Sequence, residues 1–298
     1  MTKLVLFIYL FLSCTSALFA QITIETERDK ENNVIFYATN LAEIPYSVVL
    51  NFSQIQNLTT PAGGNTTVVA NPGRTKVATL SPTLAGQGSS YRYSYSFAKG
   101  NVYAKTKVNP AYLVPVSEGT VVKAVLNNPL EATVGNESAK GSYVGVSFMF
   151  DQPVEIVAPR KGIIAAMKMD ANVTGNNLSF VAEENFIEIY HEDGTFTKLT
   201  VLKPGSEKVK VGQQVFPGEV LAESGGENYS QGPHVRMINI KTVKDSDRLI
   251  HQPFPVSFVS DKGNVEIKQY ITFEVVHPEE VVVLEMSKRE LKTYQEGK

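Results

Sequence analysis

The chain has 298 residues, 43% of them apolar, with 28 basic and 30 acidic side chains and a formal net charge of -2. This composition leaves room for two globular domains. The balanced charge and the absence of a basic run exclude the electrostatic footprint that nucleic-acid backbones and anionic membrane surfaces select, so neither partner is expected.

Residues 1–20 open with Lys3, continue through the apolar run LVLFIYLFL (Leu4 to Leu12) and end in small residues at Ala17 and Ala20. A short positive start, a brief apolar core and a small-residue exit predict a secretory signal peptide, with Gln21 as the first mature residue. Cys14, the one cysteine, falls inside this segment, where a lipid-bearing role fits its neighbours poorly. The mature chain is therefore expected to be exported to the periplasm or to an outer-membrane association, with no disulfide to support it. No later stretch is apolar for the roughly 20 residues a spanning helix requires, so no transmembrane segment is expected in the mature chain.

From residue 21 to 107 short alternating runs recur (ITIETE, VIFYATN, YSVVLNFS, TKVATL, YRYSYSF), with Asn, Gly and Pro between them. Strands at about ten-residue spacing predict an immunoglobulin-like β-sandwich. Tyr91, Tyr93, Tyr95 and Phe97 share one strand face. They read as the buried face of the sandwich in preference to an aromatic platform for glycans. Residues 108–140, with Pro110, Pro115, Pro129 and the Asn127-Asn128 pair, read as a connector.

The second domain, residues 141–276, is again strand-rich, so the whole chain is expected to be all-β. Asp193-Gly194 between two alternating runs predicts a hairpin. Residues 277–298 form a tail that ends in MSKRELKTYQEGK, read as a short helix or a frayed end.

Three pieces of this domain occur in an informative order: VEIVAPRKG ending at Gly162, IYHEDGTFTKLTVL from Ile189 to Leu202, and KVKVGQQVFPGEVLAES from Lys208 to Ser224, followed by GPHVRM. In the third, Gly212 and Gly218 turn the chain while Val209, Val211, Val215, Val220 and Leu221 supply core. Together the pieces resemble the lysostaphin-type (LytM-like) zinc metallopeptidases, which cleave peptidoglycan. The resemblance implies an antiparallel β-sheet domain of the duplicated-hybrid-motif type. It also implies a zinc ion held by a histidine, an aspartate and the second histidine of a His-x-His strand. Two further histidines assist: the first of that pair, and one in a Tyr-x-His-Leu segment.

The family's ligand positions carry other residues here. The aspartate position falls on Ser147, and the first histidine belongs near Tyr143, although His191 is the first histidine in the chain. The assisting histidine of Tyr-x-His-Leu falls on Val201. In the last strand His234 takes the assisting position and Arg236 the third ligand position. A serine hydroxyl is a poor substitute for a carboxylate on zinc, and a guanidinium has no lone pair to donate and a fixed charge that repels the cation. No metal and no cofactor is therefore expected, and His191 is expected to stabilise its hairpin.

Ala166-Met167-Lys168-Met169 matches the string around the modified lysine of biotin carriers, but no turn residue adjoins Lys168, which reads as mid-strand. The expected function is that of a catalytically inactive, exported binding, regulatory or scaffold module of the cell envelope. Its partner would be an envelope protein or a peptidoglycan peptide, with Arg236, His234, Tyr143 and Ser147 lining the candidate groove; the alternative reading of Arg236 is a structural salt bridge across the sheet. The alternative is an active zinc endopeptidase of peptidoglycan with an atypical ligand set.

Overall fold

The structure is a computed structural model and describes residues 21–60, 64–107, 110–127, 145–178, 181 and 183–297. The expected signal segment, Cys14 and Tyr143 lie outside the described residues. The described chain is nearly all β, in antiparallel sheets. No described helix is long and apolar enough to cross a membrane.

Seven strands build the N-terminal sandwich: β1 (Ile22–Arg28), β2 (Val34–Asn40), β3 (Tyr46–Gln56), β4 (Leu58–Thr59), β5 (Asn65–Ala70), β6 (Gly73–Pro82) and β7 (Ser90–Lys99). They form two sheets, ordered β1-β2-β6-β4 and β5-β3-β7. In β2 the alternation Val34, Phe36, Ala38 turns those side chains fully inward, and Phe36 centres the core. The tyrosine row differs from expectation. Tyr91 and Tyr93 meet Phe36 edge-on at 5.5 and 5.1 Å, but Tyr95 and Phe97 remain exposed. The reason is that β7 is an edge strand, and its tyrosines reach across the open side of the sandwich to β1. The hydroxyls of Tyr93 and Tyr95 donate to the carbonyls of Ile24 and Ile22, closing an edge that would otherwise present free backbone groups.

The second domain has strands β8 (Val121–Leu126), β9 (Val146–Met149), β10 (Glu155–Val157), β11 (Gly162–Lys168), β12 (Phe186–Tyr190), β13 (Thr195–Thr200), β14 (Gln214–Val215) and β15 (Val220–Glu223). It continues with β16 (His234–Asp245), β17 (Arg248–Pro253), β18 (Ser257–Ser260), β19 (Gly263–Glu266) and β20 (Ile271–Glu274). Its main sheet runs β14-β11-β12-β13-β16-β9-β8-β20, with β17 also paired to β16. The stretch read as a connector therefore contains a strand of this sheet. Val122 and Ala124 alternate into the core and β8 pairs with both β9 and β20, while the prolines on either side disguise the run as loop. The Asp193-Gly194 hairpin forms between β12 and β13, with Gly194 at φ +82. Lys168 ends β11 instead of lying mid-strand, with its amine on Glu183. The tail supplies two helices, α1 (Glu279–Val282) and α2 (Lys288–Glu296), the second started by a Ser287/Glu290 capping box.

The two faces of the main sheet have different partners, and β12 shows how. Ile187 and Ile189 point into the second domain's own core, with Leu199, Val235 and Met237. Tyr190 points the other way and joins Phe196 in the core of the sandwich. Glu188 shares that side, fully buried, where Lys99 of β7 meets its carboxylate at 2.5 Å. Thr242 of β16 adds a bond to the Lys99 carbonyl. The sandwich thus covers part of one face of the second domain's main sheet, and a buried charge on that face is matched across the seam.

Candidate functional site

β16 places His234 and Arg236 on one face, two residues apart, because successive strand side chains alternate. Register fixes their neighbours: Arg236 stands opposite Ser147 of β9 on one side and Thr200 of β13 on the other. The two positions to which the resemblance assigns the second and third ligands are therefore adjacent in space. Tyr143 lies outside the described residues.

Arg236 is buried, and Nη1 donates to Oε1 of Glu184 at 3.0 Å. The Tyr229 hydroxyl donates to the same oxygen at 2.8 Å. The guanidinium also sits over the Tyr229 ring, 5.6 Å from its centre. Both partners of the ion pair are almost fully enclosed, at 7% and 11% side-chain exposure. Arg236 Nη2 has no acceptor among the described residues. Ser147 directs its hydroxyl to Asn127 Oδ1 at 2.5 Å.

His234 is fully buried. The carbonyl of Gly232 lies 2.7 Å from Nδ1, and the side-chain amide of Gln231 lies 2.9 Å from Nε2. The pairing assigns the proton to Nδ1, with Nε2 accepting from the glutamine. Burial first, and then the neighbouring Arg236 charge, pull its pKa down to about 4 against the pull of the Gly232 carbonyl, so the ring is neutral at neutral pH. Gly226, at φ +96, allows this close packing, because a Cβ there would stand 2.8 Å from Nδ1. Val201, the residue at the other assisting position, is buried with φ +66, a left-handed conformation that a β-branched side chain rarely adopts.

The expected groove lined by Arg236, His234 and Ser147 is thus replaced by a closed polar cluster. The three side chains are buried and bonded to Glu184, Tyr229 and Gln231, which nothing in the sequence singles out, and to Asn127, which reads there only as part of a connector. Nothing in the Glu183-Glu184-Asn185 run distinguishes the one glutamate that turns inward.

This donor set does not suit zinc. The Ser147 hydroxyl is committed to an amide, the place of the third ligand holds a cation, and that cation already has its carboxylate. Among the described residues no group of three or more His, Cys, Asp or Glu side chains is arranged to hold a metal ion. His191, Asp151 and Lys168 stand apart from the cluster. His191 is fully buried at the hairpin, bonded to the Lys161 carbonyl and the Thr197 hydroxyl at 2.7 and 2.8 Å, and burial lowers its pKa to about 4. Asp151 is exposed and pairs with Lys123.

The chain carries a LytM-type domain: residues 141–247 match Peptidase family M23. Among solved structures it is similar to a chain of the SpoIIQ-SpoIIIAH pore forming complex, at 18% identity and a TM-score of 0.31, over 48% of this chain and 89% of that one. It is similar to Csd3 of Helicobacter pylori at 13% identity and a TM-score of 0.31, over 92% of this chain and 83% of that one. A putative glycyl-glycine endopeptidase lytM from Ruminococcus gnavus is similar at 13% identity and a TM-score of 0.29, over 46% and 57% of the respective chains. No curated protein matches the chain.

Proposed function

We propose that the protein is an exported cell-envelope component whose peptidase-like domain performs no zinc hydrolysis and works as a binding or scaffold module. The observation that carries this reading is Arg236. It occupies the third ligand position with its charge neutralised by Glu184 inside the fold, so the catalytic centre has become a structural joint. A cation entering this position would meet a fixed positive charge and would have to compete with it for Glu184. The covered face of the sheet supports the scaffold part of the reading, because the sandwich and the M23-type domain are joined through shared core and a buried ion pair. Export rests on the amino-terminal pattern alone, and the partner class on the resemblance: an envelope protein or a peptidoglycan peptide.

The test is metal analysis of the purified chain together with muropeptide digestion. The expected outcome is substoichiometric zinc and no cleavage with or without added zinc. One zinc per chain with cleavage overturns the reading. Crosslinked co-purification from the native envelope then identifies the partner.

A further inference from the structure

A cavity of about 940 Å³ lies between the Gln214–Glu219 loop and the C-terminal helices, largely outside the region matched by the peptidase family. Phe216, Pro217, Val282, Met286 and Tyr294 form its apolar wall. The volume is at the upper end of the range for small-molecule sites, about 300 to 1,000 Å³. Neither tail helix buries a residue fully, and Val282 of α1 and Tyr294 of α2 face this space.

The charges around the cavity indicate what fills it. Two acidic residues line it, and both are engaged. Glu219 accepts from the Gln213 amide and the Phe216 backbone. Glu290 is bound by Lys161 and Gln214. Arg289 also lines the cavity, is exposed, and has no ion-pair partner among the described residues; Lys288 beside it, outside the lining, is exposed and likewise without an ion-pair partner among the described residues. Both cations sit in the first turn of α2, whose N-terminus is already capped by Ser287 and Glu290, so the attraction for an anion comes from the two side chains. An apolar chamber with uncommitted positive charge at its lip complements an apolar chain with a negative head.

We propose that this cavity binds a single-chain carboxylate amphiphile, a fatty acid, with the chain under Val282 and Met286 and the carboxylate on Arg289. The site is independent of the Arg236 cluster and of the reading built on it.

Calorimetric titration of the full chain with decanoate and with the neutral 1-decanol tests this. Decanoate should bind saturably at one per chain, and decanol about tenfold more weakly, because it lacks the charge-assisted bonds. Arg289→Glu alters an exposed side chain and should weaken decanoate about tenfold while leaving decanol unchanged. Met286→Trp should abolish binding of both by filling the chamber. Absence of saturable decanoate binding up to the millimolar range overturns the proposal. Equal affinity for decanoate and decanol, or an unchanged affinity in Arg289→Glu, overturns it as well.

Discussion

Glu184 holds one carboxylate oxygen on two donors, Nη1 of Arg236 at 3.0 Å and the hydroxyl of Tyr229 at 2.8 Å. The three groups close the centre of the domain, and the ion pair is nearly sealed from water. Losing one partner of such a pair leaves an uncompensated buried charge, at about 3–5 kcal/mol, whereas replacing both by apolar groups is often close to neutral. Arg236→Met and Glu184→Leu should each lower the urea midpoint sharply, and the double variant should recover most of the loss. Additive losses in the double variant would show that the two charges do not depend on each other.

Acid sensitivity should come largely from the histidines, all four of which have pKa values lowered chiefly by burial, His191 and His234 furthest. His191 and His234 both have pKa values lowered from 6.5 to about 4, chiefly by burial. Between those limits the unfolded chain takes up protons that the folded chain refuses, so stability falls as pH falls. The contribution is fully present above about pH 6.5 and is lost progressively towards pH 4, on the order of 3 kcal/mol for each ring. Denaturant unfolding at intervals from pH 7.5 to 4 checks this. His234→Gln should flatten the dependence of stability on pH in that window.

The sequence makes the strand-rich halves and the hairpin legible because alternation and Asp-Gly punctuation are local signals. The peptidase-like order of motifs is likewise written in short strings, and so are the residues at the positions where the resemblance expects ligands. What local signals do not carry is the partner of each polar residue. The fate of Arg236 depends on Glu184, which precedes β12 and reaches the site only through the fold. The same holds for Glu188, whose place in an apolar run makes sense only once Lys99 of the other domain is beside it. β8 was hidden by the prolines around it, since its pairing with β9 and β20 spans long stretches of chain.

Val201 stores strain that its packing must offset. It is buried, β-branched and held at φ +66. Such a conformation costs about 1–3 kcal/mol for a residue other than glycine. Val201→Gly removes the strain along with the side chain, so it should cost roughly 1–3 kcal/mol less than Val235→Gly, at a fully buried strand position on β16. Thermal unfolding of the two variants measures the difference. Equal losses would indicate that the left-handed turn at Val201 carries no penalty.

Arg160 ties the tail to the body of the domain. Fully buried, it forms a fork to Glu285, with Nε at 2.9 Å and Nη2 at 2.8 Å, and its third nitrogen reaches Asp193 at 3.1 Å and the Tyr112 hydroxyl at 3.2 Å. Lys107 meets Glu285 from the other side, so two cations and two carboxylates balance. Burial pushes both carboxyls up, but the Arg160 hydrogen bonds and charge hold Glu285 below its ordinary range, and the Thr195 hydroxyl followed by the Arg160 charge does the same for Asp193. A lysine cannot reproduce this planar fork, so Arg160→Lys should destabilise the protein nearly as much as Arg160→Ala, by about 3–5 kcal/mol. Glu285→Gln keeps the shape but removes the charge from the tail, leaving α1 and α2 attached through Glu290 and surface contacts. Trypsin should then cut at Lys288, Arg289 or Lys292 well before the rest of the chain, and decanoate affinity should fall with it, because the same helices wall the cavity. Wild-type resistance at these sites in Glu285→Gln would show that the tail is held by something other than this network.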